Sequence, residues 1–133
     1  MPARLIIFAA LVAALPALYV AVQASSARRR RGLVGAVREP ELSQGERTLL
    51  FFTGEYCSTC KYRQKPAIES LAADVGGLRV VEIDAARDEQ LARRFKVLSL
   101  PTTVLLAPDG RVGAVNYGFA PGEQLRAQLA GLA

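Results

Sequence analysis

From residue 46 onward the apolar positions change period several times, and each change marks an element. Thr48 to Thr53 (TLLFFT) is a short continuous apolar run, which suits a strand buried on both faces. Ser58 to Val75 reads as a helix: Ile68, Leu71, Ala72 and Val75 fall at i, i+3, i+4 and i+7, and Gly76-Gly77 stops it. Leu78 to Asp84 (LRVVEID) is a second strand. Asp88 to Phe95 is a short helix with its acids first and its arginines last, as the helix dipole prefers. Thr102 to Ala107 and Arg111 to Asn116 are strands on either side of the turn signal Pro108-Asp109-Gly110. Pro121 to Leu132 closes the chain as a helix with Leu125, Leu129 and Leu132 on one face. The order βαβαββα needs a parallel crossover first and a hairpin last. It therefore predicts an α/β fold with a mixed central sheet and helices on both faces.

Ahead of this lies a different pattern. Leu5 to Val22 (LIIFAALVAALPALYVAV) is eighteen residues without a charge. As a helix it spans ~27 Å, close to the hydrocarbon thickness of a bilayer. Pro16 removes one backbone hydrogen bond, which membrane helices tolerate. An all-round apolar stretch at the N-terminus argues against a core helix of a soluble domain. A cleaved signal peptide is the stronger rival, with Arg4 as its charged start and Val22-Gln23-Ala24 as a small-residue cut site. Against it, the apolar run is long and four arginines follow at once. The expected organisation is an N-terminal transmembrane helix over residues 1–24, a basic flank and linker over 25–45 with at most a short strand at Leu33 to Val37, and a globular domain over 46–133.

Charge refines this division. The chain carries a formal +5, but Arg4 and Arg28 to Arg31 hold five of its 17 basic residues. From residue 32 onward there are 12 Lys/Arg against 12 Asp/Glu, so the globular part offers no basic footprint for nucleic acid. Positive charge flanking a membrane segment stays cytoplasmic, and four arginines after the segment outweigh one before it. The domain is accordingly expected on the cytoplasmic side of a single-pass membrane protein, the extracytoplasmic side being the alternative. A twin-arginine export signal would need its arginines before the apolar run. Arg28 to Arg31 are also placed to grip anionic headgroups, at roughly 1 kcal/mol each. With no histidine and no tryptophan, histidine acid–base catalysis and histidine metal ligation are excluded.

The remaining chemistry sits in FFTGEYCSTCKY, residues 51 to 62, which contains the only two cysteines, Cys57 and Cys60. Structural zinc needs four ligands, so here it would require a second copy or carboxylates. A purely structural staple across three residues closes almost no loop and constrains the unfolded chain little. A reactive pair uses the placement best. Cys57 falls where a buried strand hands over to a helix, whose unpaired N–H groups and dipole favour thiolate. Cys60 lies one turn inside, on the same side, within disulfide reach and less exposed. Cys57 is then the attacking sulfur and Cys60 the resolving one. No cofactor and no metal are expected.

On these residues the chain resembles the thioredoxin superfamily. TGEYCSTCK is similar to the family's active-site segment, with Tyr56 where tryptophan is usual. VLSLPTTVLL resembles the cis-proline loop, which makes Pro101 the cis-proline, and PDGRVGAVNYG resembles the terminal hairpin with its following Gly118. The resemblance covers about residues 46 to 133 and implies a thioredoxin-like fold. It implies thiol–disulfide exchange on protein disulfides, with Tyr56, Leu100 and Pro101 against the substrate and an electron donor to recharge the pair. The backbone at Ser99 and Leu100 is then offered to a substrate strand.

The sequence also departs from the family. The position of its buried aspartate holds Phe51, and that of the partner lysine holds Val80, a consistent apolar replacement of a buried charge pair. Glu55 or water could stand in as the base, though Glu55 reads first as a solvated surface acid. Pro66 lies one residue later than the family pattern, and the family's first strand and helix are expected to be missing. The reading this supports is a membrane-tethered thiol–disulfide oxidoreductase. Its alternatives are an outward-facing TlpA-like reductant for cytochrome or secreted-protein thiols, many of whose relatives carry a central insertion that the Cys57-to-Pro101 spacing here lacks, and a binding module with an idle cysteine pair.

Overall fold

The structure, a computed structural model, describes residues 2–132. Its sheet has four strands in the order β2-β1-β3-β4: β1 Arg47–Thr53, β2 Leu78–Asp84, β3 Thr102–Leu106 and β4 Val112–Tyr117. β1 pairs with β2 in parallel and with β3 antiparallel, and β3 pairs with β4 antiparallel. The mixed sheet and the four strands expected from residue 46 onward are thus present, with ends moved by a residue at most. β1 is central, and Thr48 to Phe52 are all buried, as its unbroken apolar run requires.

Helices cover both faces. α3 (Lys65–Asp74) and α5 (Gly122–Ala130) close one core, in which Leu49, Phe51, Cys60, Ile68, Leu71, Leu105, Leu125 and Leu129 meet. α4 (Glu89–Arg94) covers the other, around Leu50, Phe52, Phe95, Val104 and Val115. Asp88 caps α4 by accepting the Leu91 amide at 3.1 Å, so the acid-first pattern marks the helix start.

The N-terminal third is more ordered than an anchor followed by a linker would require. α1 is one uninterrupted helix, Pro2–Leu33, that runs through Pro16 and through all four arginines. Its last residue, Leu33, is 2% exposed and belongs to the α4-side core with Phe95 and Val112. No strand forms at Leu33 to Val37. The chain turns there, donates from the Gly35 amide to the Val112 carbonyl at 2.9 Å, and bridges Arg38 to Arg111. A short helix, α2 (Pro40–Ser43), then buries Ser43 against Pro108 before β1 begins. The second half of the expected linker, 33–45, is therefore folded onto the sheet. The physical reason is Leu33: an apolar residue ending a basic run finds the sheet face that α4 leaves uncovered. No strand lies outside β2, among the described residues, so β2 is a free edge.

Candidate active site

β1 ends at Thr53 and hands over through Gly54 and a turn at Glu55-Tyr56 to Cys57, and the chain is helical from Ser58. Gly54 lets the Leu100 side chain approach: a Cβ there would stand 2.8 Å from the Leu100 Cδ1, which would have to shift. Cys57 and Cys60 are joined as a disulfide with Cα atoms 5.3 Å apart. Cys60 is 1% exposed and packs on Phe51, whereas Cys57 is half-buried at the rim. The Cys60 amide donates to Cys57 Sγ at 3.2 Å, an unpaired helix-start N–H turned on the outer sulfur. That arrangement favours negative charge on Cys57 over Cys60.

Beside Cys57 runs an open groove lined by Gly54, Glu55, Tyr56, Leu98, Ser99 and Leu100. Tyr56 is 94% and Leu98 79% exposed, so neither is held by packing and both are free to meet another molecule. The Leu100–Pro101 peptide is cis, as the resemblance implied. The Ser99 carbonyl accepts the Thr102 hydroxyl at 2.8 Å, and the Pro101 carbonyl accepts the Gly118 amide at 2.8 Å. These bonds hold the proline loop against Gly118, which takes φ +90, a backbone conformation suited to glycine. The five residues named from sequence thus gather at one end of the sheet.

On the inner side of the disulfide a second cleft is lined by Phe51, Cys60, Lys61, Lys65, Glu82 and Asp84 among others. Glu82 pairs with Lys65 at 3.5 Å, about half exposed on both sides. Phe51 and Glu82 are register partners across β1 and β2, so the aromatic ring occupies the buried place and an acid lies one strand outward.

One functional position escaped the sequence reading. Cys60–Gln64 forms a π-turn, in which the Lys65 amide reaches the Cys60 carbonyl five residues back. This absorbs the extra residue ahead of Pro66 and lets α3 start normally with Pro near its N-terminus. The turn points Gln64 inward, fully buried, where its amide donates to the Ala120 carbonyl at 3.0 Å and accepts the Ala120 amide at 2.9 Å. Gln64 thereby ties the active-site helix to the Gly118–Ala120 segment behind Pro101. The one-residue delay of Pro66 was the available signal.

A dithiol/disulfide pair at a strand–helix junction, faced by a cis-proline loop, defines a thiol–disulfide oxidoreductase of the thioredoxin fold. Comparison with known proteins agrees. The thioredoxin family profile matches residues 35–130. Thioredoxin from Bacillus subtilis is 34% identical over 87 residues, covering 65% of this chain and 81% of the relative. Thioredoxin from Listeria monocytogenes is 30% identical over 94 residues, covering 70% and 88%. Among solved structures, the germline-specific thioredoxin Deadhead of Drosophila melanogaster superposes with a TM-score of 0.60 at 31% identity, covering 70% of this chain and 87% of that one. A thioredoxin from Halobacterium salinarum gives 0.59 at 27%, covering 66% and 76%. The chain belongs to the thioredoxin family.

Proposed function

We propose that the protein is a membrane-tethered reductant of protein disulfides in which Cys57 attacks and Cys60 resolves. In the reduced form, the Cys57 thiolate attacks one sulfur of a substrate disulfide. That S–S bond breaks, a mixed disulfide forms, and the departing sulfur leaves as a thiolate that takes up a proton. Cys60, losing its proton, attacks Cys57 Sγ, forms the Cys57–Cys60 bond and releases the second substrate thiol. Two electrons pass to the substrate, and a dithiol donor must return them. The observation that carries the assignment is the Cys60 amide donating to Cys57 Sγ at the exposed rim, while Cys60 itself is buried. Tyr56, Leu100 and Pro101 serve as the binding wall: the first two line the groove beside Cys57, and Pro101 is joined to Leu100 through the cis bond.

The tether is supported by the apolar stretch of α1, whose side chains from Leu5 to Val22 are exposed along the whole run. The arginines that follow it favour a cytoplasmic domain. Both halves are open to direct tests. In a dithiothreitol-driven assay on a protein disulfide, Cys57→Ser should abolish turnover, and Cys60→Ser should accumulate mixed disulfides visible without reductant. A wild-type protein that turns over no disulfide defeats the reading. In intact cells, a membrane-impermeant thiol reagent should fail to label Cys57, and labelling would place the domain outside.

A further inference from the structure

The direction in which α1 leaves the domain adds something that the tether alone does not. Register places Phe52 of β1, Thr102 of β3 and Tyr117 of β4 at one level of the sheet, the end that carries Cys57 and Pro101. Thr48, Leu106 and Val112 lie at the other end, roughly 17 Å away along β4. α1 touches both. Gly35, just past its C-terminus, bonds Val112 at the far end. Arg29 lies over the Tyr117 ring at 4.4 Å and donates to the Lys96 carbonyl at 3.2 Å, at the active-site end. Followed backwards, the helix therefore climbs toward the active site and continues past it into the apolar stretch.

The reach is short. From Arg29 to Val22, where the apolar run ends, is seven residues of continuous helix, about 10 Å. The opposite pole, at the start of β1, lies a further ~20 Å down a seven-residue strand. A tilt of about 20°, ordinary for a membrane helix, does not exchange the two poles. Leu33 in the core and Arg29 on Tyr117 and Lys96 leave no free joint between anchor and domain.

We infer that the pole bearing Cys57, Tyr56, Leu98 and Pro101 is held facing the bilayer, within about 10 Å of its surface, and that its partners are disulfides carried by membrane proteins at that level. This rests on the tethered reading above. The exposed Tyr56 and Leu98 fit such a place, since aromatic and apolar side chains are favoured at the membrane interface. Exposed Arg28, Arg30 and Arg31 lie in the same layer, level with the headgroups.

Depth measurements on the full chain decide it. In a Cys57→Ser/Cys60→Ser background, single fluorophores are attached at Leu98→Cys, Glu46→Cys or Val12→Cys, and the protein is reconstituted in phosphatidylcholine–phosphatidylglycerol vesicles. Nitroxide on the headgroups should quench the label at 98 at least threefold more than the label at 46, and nitroxide on the acyl tails should quench the label at 12. Equal quenching at 46 and 98, or stronger at 46, overturns the orientation while quenching at 12 leaves the tether standing. Absence of quenching at 12 removes the tether and the inference with it. A Gly-Ser segment inserted after Gln23 should reduce the 98-to-46 contrast to near one, and an unchanged contrast would show that the continuous helix does not set it.

Discussion

Phe51 is 2% exposed and packs directly on Cys60, so the position behind the resolving sulfur is apolar. A carboxylate put there would be buried beside Leu49 and Leu105 with Val80, not a lysine, on the neighbouring strand. Phe51→Asp should cost more than about 3 kcal/mol of folding stability through lost packing alone. Burial would raise the new carboxyl's pKa above its unfolded value, so the folded state would hold the proton more tightly. The penalty is then smallest below about pH 4 and grows as pH rises. Urea unfolding at pH 4 and pH 7 reads the difference; a pH-independent penalty would show that the cleft beside Cys60 hydrates the carboxylate. Tyr117 titrates in the same sense. Burial raises its phenol above the ordinary value, and the guanidinium groups of Arg29 and Arg30 pull it partly back. Its OH donates to the Phe95 carbonyl at 3.0 Å, a bond that ionisation would destroy. The folded state therefore keeps the proton longer, and stability should be lost as pH climbs above about 10. Tyr117→Phe should flatten that alkaline loss in a thermal-melt series.

Among the elements, the π-turn at Cys60–Gln64 has the most consequence for function. It presents Gln64 to both backbone groups of Ala120, and nothing else is shown to satisfy them. Gln64→Ala should leave a buried N–H and a buried C=O without partners, at a cost of about 2–4 kcal/mol. The Phe119–Ala120 amides should also exchange hydrogen faster, whereas β1 amides should change only with global stability. Most of the elements were legible because each has a strong local signature: β1 as an unbroken apolar run, α4 by its acid-to-base gradient, the hairpin by Pro108-Asp109-Gly110. Cys57 and Cys60 were legible from their placement at a strand–helix junction, whereas Pro101 was legible through the resemblance of VLSLPTTVLL to the family's cis-proline loop. The π-turn was not, since an i to i−5 bond leaves no periodic trace over five residues and only the late Pro66 marks it. Nor was the end of α1, because a basic run followed by glycine reads as a boundary. What continues the helix is the burial of Leu33, a long-range contact that no local pattern encodes.

At the scale of the molecule, α1 begins as a long apolar helix and ends in the domain core, and truncation separates those two parts. A fragment from residue 38 removes Leu33 and the Arg29 contacts with Tyr117 and Lys96, but keeps β1, the cysteine pair and the proline loop. A fragment from residue 26 keeps all of them and drops the apolar run. The longer fragment should be the more stable by about 2–3 kcal/mol, the value of one fully buried leucine. Leu33→Ala in the longer fragment should lose most of that difference, about 2 kcal/mol, because it empties a place in the cluster with Phe95 and Val112 and detachment of the segment limits the loss. Reduction of a soluble protein disulfide should differ little among the three at temperatures where all are folded, since no side chain of α1 lines the groove beside Cys57. Urea midpoints and turnover measured on the same preparations test both statements. Equal midpoints for the two fragments would mean that α1 and the sheet do not share a core, and the proposed tether would then leave the active site free to face any direction.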